Sequence, residues 1–176
     1  MMKLAHIGIL LKNICAQMTV DVPIELTWAR QSSTMVSDYY PKAALAANPI
    51  TNEVDMSIQQ DWLSVQPYAC SRTELDDFPW WTADMNNTYT IKEVQILTRN
   101  DPDRTEYLEN VSIMVGDTIC AQTGTDIEIG KWHTFECPDG GISGDEITLY
   151  MDQPGRLSFC GIVPIATMDI RDYIDL

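Results

Sequence analysis

The sequence predicts an all-β protein, an antiparallel sandwich or barrel. Apolar residues recur at every second position in several short runs, Gly, Pro, Asn and Asp interrupt those runs, and helical periodicity is poor. Strands of that length, separated by such turns, pair antiparallel and bury one face each. At 176 residues the chain suits one domain with a substantial core.

Residues 1–17, MMKLAHIGILLKNICAQ, combine a basic start at Lys3 with a short apolar run from Leu4 to Leu11. That pattern reads as a signal peptide or an N-terminal extension, and it is too short to span a membrane. The folded body is expected over 24–165, with a short helix or irregular loop around Pro41–Ala47. YTIKEVQILTR (89–99) reads as a strand, ended by the polar run Asn100-Asp101-Pro102-Asp103. VSIMVGD places Val111, Ile113 and Val115 on one face before a turn at Gly116-Asp117. EITLYM does the same with Ile147, Leu149 and Met151, and Gln153-Pro154-Gly155 stops it. RLSFCGIV (156–163) supplies Leu157 and Phe159. Residues 166–176 form a tail: either a helix with Ile170, Tyr173 and Ile174 on one face, or an extra strand.

Charge narrows the partners. Eleven basic against 26 acidic side chains give a net charge of −15, with every acid after residue 20. Such a field repels a phosphate backbone, and no Lys/Arg cluster offsets it locally, so nucleic acid is excluded as an expected partner.

Cys15, Cys70, Cys120, Cys137 and Cys160 contain no CxxC pair, so a zinc ribbon or thioredoxin-type motif has no support. Loss of residues 1–17 would remove Cys15 and leave an even set of four, as secretion and two disulfides require. Asn86-Asn87-Thr88 and Asn110-Val111-Ser112 are N-glycosylation sequons beside turn-like stretches. These features point to an extracellular protein.

No P-loop, dinucleotide fingerprint, HExxH or nucleophile elbow is present. His133, in GKWHTFEC, lies beside two large aromatics and reads as a solvent-facing strand residue rather than a catalytic base. A non-enzymatic binding module is expected.

The ordered motifs QSST (31–34), CSRT…PWW (70–81), Tyr89-Thr90-Ile91, RND (99–101), GKWHTFEC (130–137) and PGRLSFC (154–160) resemble the F-type lectin, or fucolectin, domain. The resemblance covers about residues 26–165 and implies a jelly-roll-like antiparallel β-sandwich of the galactose-binding-like, discoidin-related class. It further implies disulfides Cys70–Cys160 and Cys120–Cys137, with Trp80 and Trp81 packing the core. In the family, sugar recognition uses a histidine after the first cysteine, an arginine in an RxD turn, and a second basic residue shortly after. Arg99 and Asp101 occupy the RxD positions here, and Arg72 stands at the histidine position. The second basic position falls at Glu106 or Tyr107, with Arg104 out of register.

The implied carbohydrate site is therefore Arg72, Arg99, Asp101 and Tyr107, with Asp101 bracing Arg99 and Tyr107 offering a flat wall. Guanidinium donors fork onto sugar hydroxyls, and two of them also suit a sugar bearing a carboxylate or sulfate. The family's calcium loop reads Ala44-Leu45-Ala46-Ala47, so Ala46 holds the acidic position, and Gly161 stands where Glu often follows the last cysteine. A hard cation wants six to eight oxygens, so at most weak calcium binding is expected.

The expected function is a secreted or cell-surface lectin-like module of non-standard specificity, with a glycan or glycoprotein as partner. The alternative is a structural or adhesive subunit that keeps the sandwich without binding sugar. It would form homo-oligomers, filaments or matrix contacts through residues before Val20 or after Ala166.

Overall fold

One strand organises the molecule. The computed structural model describes residues 18–34, 70–99 and 108–171, and in it β4 runs without interruption from Trp80 to Leu97. Around it lie β1 (Thr19–Pro23), β2 (Thr27–Gln31), β3 (Ser71–Arg72), β5 (Ser112–Val115), β6 (Thr118–Gln122), β7 (Trp132–Glu136), β8 (Ile142–Tyr150), β9 (Ser158–Phe159) and β10 (Gly161–Asp169). The main sheet runs β1-β10-β4-β8-β5-β6, with β2 and β7 also on β4, and β3 and β9 form a separate two-stranded ladder.

β4 changes neighbours along its length. On one side β2, paired as far as Asp84, gives way to β10 from Ile91; on the other β8, paired as far as Ile91, gives way to β7 from Glu93. The exchange of β2 for β10 spans a register shift in the β8 ladder between Asp84 and Tyr89, where Asn86 sits at φ 61°. A bulge there bends the strand and lets one sheet curl into both layers of a sandwich. The fold is thus the expected all-β, jelly-roll-like antiparallel sandwich. Asn86–Thr88 lies inside the strand rather than in a turn ahead of it, because an irregularity borne by flanking partners uses the same residues that a turn would.

The expected faces are observed. Val111, Ile113, Ile147 and Leu149 are buried completely, Val115 and Met151 almost so, and the β5–β6 turn places Gly116 at φ 54°. Trp81 is fully buried edge-on against Phe159, with ring centroids 5.0 Å apart, whereas its neighbour Trp80 is only half-buried.

At the C-terminal end the strand alternative holds for the first tail residues. β10 continues through Asp169, and Ile165–Asp169 pairs with Thr19–Pro23 of β1. The sheet therefore extends past residues 24 and 165. Residues 1–17, the segment around Pro41–Ala47, Asp101–Tyr107, Tyr173 and Ile174 lie outside the described residues. Among the described residues no helix is long and apolar enough to cross a membrane.

Candidate functional site

The site begins at a disulfide. Cys70 is bonded to Cys160, across 90 residues of sequence, and Cys120 to Cys137, across 17. The first bond brings the chain at Ser71–Arg72 against Ser158–Phe159, where Ser71 faces Phe159 and Arg72 faces Ser158 in an antiparallel ladder. Two residue pairs cannot hold a ladder in water unaided. Supporting hydrogen bonds continue it: the Thr73 amide donates to the Leu157 carbonyl at 2.9 Å, and the Leu157 amide donates to Thr73 Oγ1 at 2.9 Å.

Leu157 and Phe159 turn into the core, so strand alternation sends Arg156 and Ser158 to the other face. Arg72, opposite Ser158, shares that face. Arg99 follows directly on the end of β4 and reaches the same point: its Nη1 donates to Ser158 Oγ at 3.3 Å. Ser158 Oγ in turn donates to the Ser71 carbonyl at 2.6 Å. Arg99 thus bonds the buried hydroxyl of Ser158, the residue that faces Arg72 in the ladder, 27 positions away in sequence. At 9% exposure Arg72 is no ordinary surface charge.

The QSST segment braces this arrangement from behind. Gln31 Nε2 donates to the Arg72 carbonyl at 3.1 Å and its Oε1 accepts from Ser71 Oγ at 2.7 Å. Ser32 and Ser33 hydroxyls donate to Asp76 Oδ2 at 2.5 and 2.6 Å, and the Glu74 amide donates to Ser33 Oγ at 2.8 Å. One Asp76 oxygen is therefore committed to serines. Sequence reasoning missed Gln31 and Ser158, which hold Arg72 and Arg99 in place; each lies in a quoted motif, but nothing local marks its role.

Asp101, Tyr107 and Ala46 lie outside the described residues. Gly161 opens β10, buried and paired with Leu97, and contributes no side-chain oxygen. Among the described residues no group of three or more His, Cys, Asp or Glu side chains is placed to hold a metal ion, so nothing described fits the family's calcium. His133 lies on β7 with Nε2 2.8 Å from the Glu128 carbonyl oxygen. Asn86 is exposed in the β4 bulge, and Asn110, half-buried, precedes β5; both have positive φ. On another face, an open concavity of about 470 Å³ is lined by Asp84, Asn86, Gly116, Asp117, Asp145 and Glu146. Arg30 bonds Glu146 at 3.0 Å beside it.

A curled antiparallel sandwich with a disulfide-held ladder at one edge has the fold of galactose-binding-like β-sandwich domains. Solved structures agree on the fold. The fucolectin from striped bass (Morone saxatilis) serum superposes with a TM-score of 0.61 at 20% identity, over 80% of this chain and 45% of that one. The family 32 carbohydrate-binding module of Clostridium perfringens NanJ, solved with galactose, gives 0.57 at 15% identity, over 83% and 99%. Within that class the chain is similar in sequence to the fucolectins. Fucolectin-1 of Anguilla japonica is 30% identical over 112 residues, 58% of this chain and 61% of the relative. Fucolectin-4 of the same species is 29% identical over 112 residues. The chain spans about three-fifths of the length of these curated relatives. No protein-family model matches it.

Proposed function

We propose that this domain is a secreted or cell-surface lectin-like carbohydrate-binding module whose specificity departs from plain fucose recognition. The observation that carries the proposal is that Arg72 faces Ser158 in the ladder held by Cys70–Cys160 while Arg99 bonds the Ser158 hydroxyl. Arg72 and Arg99 donate hydrogen bonds to the sugar, Asp101 orients Arg99, and Tyr107 supplies the apolar wall. An arginine replaces the family's histidine at position 72, adding a permanent charge and a longer reach. The domain acts by binding and not by catalysis. Two disulfides, the apolar leader and the likeness to a serum fucolectin support an extracellular setting.

A glycan array probed with the full chain and with Arg99→Ala tests the reading. Binding to at least one glycan, lost in the variant, is the expected result. An array blank for the wild-type chain ends the proposal.

An assembly role through the termini has less support. Thr19–Val22 and Ala166–Asp169 pair with each other, which leaves the outer edge of β1 for any addition to a neighbour's sheet. β1, at the edge, carries Pro23 and an Asp21–Lys92 ion pair at 2.6 Å, features that discourage strand addition.

A further inference from the structure

We infer that Asn86 carries an N-linked glycan and that the exposed Trp28 seats its first sugars, an inference that rests on the extracellular setting proposed above. β2 bulges at this ring. Thr27 pairs with Asp84 of β4 and Arg30 with Thr82, so three steps along β2 match two along β4. The backbone of Trp28 takes up the extra residue at φ 46°. Ala83 and Met85 are buried, so Asp84 and Asn86 face outward, and Thr27 and Arg30 bond to them on that face. Leu26 and Ala29 turn to the core instead. Trp28, between Thr27 and Arg30 and 80% exposed, is thereby aimed at the same outer face. A positive φ strains a bulky residue, and here the strain holds an apolar ring in water. Folding alone gains nothing from that placement.

The residue before Trp28 holds a sequon. Asn86, Asn87 and Thr88 are all exposed, inside the irregular stretch of β4 between Asp84 and Tyr89. Thr27 Oγ1 shares its hydrogen between Asn86 Oδ1 at 3.0 Å and the Asp84 carbonyl at 3.2 Å. The amide is thus held by its oxygen, and Nδ2, the atom that bears a glycan, makes no hydrogen bond among the described residues. In the attachment step Nδ2 bonds to C1 of N-acetylglucosamine, the bond from C1 to a lipid-linked pyrophosphate breaks, and the amide proton leaves with that pyrophosphate. Asn86 also lines the open concavity of about 470 Å³, together with Asp84, Asp117, Asp145 and Glu146. That volume lies in the range of roughly 300–1,000 Å³ found for small-ligand sites. Carboxylates accept hydrogen bonds, which suits the hydroxyls and the acetamido N–H of a neutral sugar. The C–H face of the sugar ring then covers the Trp28 indole. The second sequon lacks this setting: Asn110 is half-buried, its amide donates to the Gly124 carbonyl at 3.4 Å, and Val111 after it is fully buried.

The full chain is expressed in insect cells under its own leader, and its peptides are mapped by mass spectrometry before and after peptide-N-glycosidase treatment. The secreted chain is expected to carry a glycan at Asn86. Oxidative footprinting should label Trp28 severalfold more slowly in that chain than in the enzymatically deglycosylated protein. Asn86→Gln and Thr88→Ala, which remove the sequon by different residues, should both label at the faster rate. Trp28→Ala should keep the glycan and lose its effect on stability: removing the sugar lowers the thermal midpoint of the wild type and leaves that of Trp28→Ala unchanged. A secreted chain with Asn86 unmodified overturns the inference and leaves the extracellular setting standing. Equal labelling of Trp28 with and without the glycan overturns it too. A chain retained in the cytosol with free thiols overturns it and brings down the extracellular reading as well.

Discussion

Removing the Cys70–Cys160 bond should cost more stability than removing Cys120–Cys137, and it should loosen the candidate site before the sandwich. The bonds close loops of 90 and 17 residues. Loop-closure entropy of the unfolded chain then assigns about 4.5 kcal/mol to the longer bond and about 3 kcal/mol to the shorter. The local consequence is sharper than the global one. β3 and β9 share two residue pairs and stand apart from the main sheet, so the bond at Cys70 is the chief covalent tie keeping Arg72 opposite Ser158. The double variants Cys70→Ser/Cys160→Ser and Cys120→Ser/Cys137→Ser should be compared by urea unfolding and by amide hydrogen exchange. The first is expected to lose the larger free energy and to lose protection at Thr73 while Ile96 and Leu149 stay protected. A larger loss from the shorter bond, or uniform loss of protection, would refute both the loop argument and the view of β3–β9 as an appended element.

Trp81→Ala should destabilise by about 3–5 kcal/mol in the same urea assay, since a fully buried indole packed edge-on to Phe159 leaves a cavity that the sheet cannot close. Gly144→Ala should cost about 1–3 kcal/mol, because its Cβ would sit 2.8 Å from Val115 Cγ1 and 2.9 Å from the Gly116 backbone nitrogen; a neutral result would show that the β5–β6 turn yields. The side-chain and backbone hydrogen bonds of Arg171 lower the Asp169 carboxyl from 3.8 to about 2. A depressed folded value means that this pair's stabilisation is present above about pH 4 and is lost as pH falls through about 2. Unfolding measured from pH 5 to pH 2 should therefore steepen less in Asp169→Asn than in the wild type, and parallel curves would sink the assignment.

The strands legible in the sequence were those whose faces alternate locally, such as Val111/Ile113/Val115 and Ile147/Leu149/Met151, because burial of one face imprints a period of two. β1 was not legible: its five residues are stabilised by pairing with β10 almost 150 positions away, which leaves no local signature. β4 was read short for a related reason. Two asparagines and a threonine signal a turn when no partner is in view, yet β8 pairs with the chain on both sides of them. At the site, Arg72 and Arg99 emerged from motif register alone. Their meeting point did not, since Ser158 is a small polar residue on a two-residue strand whose role exists only after the disulfide has formed.

The position of Arg72 bears on how specificity can change in this sandwich. An exposed arginine gives up rotamer freedom when it grips a ligand, and that entropy subtracts from affinity. Arg72 has given up most of its freedom on folding: the side chain is 9% exposed, its carbonyl is held by Gln31, and its strand is stapled by Cys70–Cys160. The cost of ordering it falls on folding stability and not on binding. Because β3–β9 stands outside the main sheet, substitutions there need not disturb the layers built on β4. Under the proposed reading, an arginine at such a place sets the ligand chemistry while the core around Trp81 and Phe159 stays intact. The sequence carries that combination in one short stretch: Cys70 and the tryptophans Trp80 and Trp81 frame Arg72.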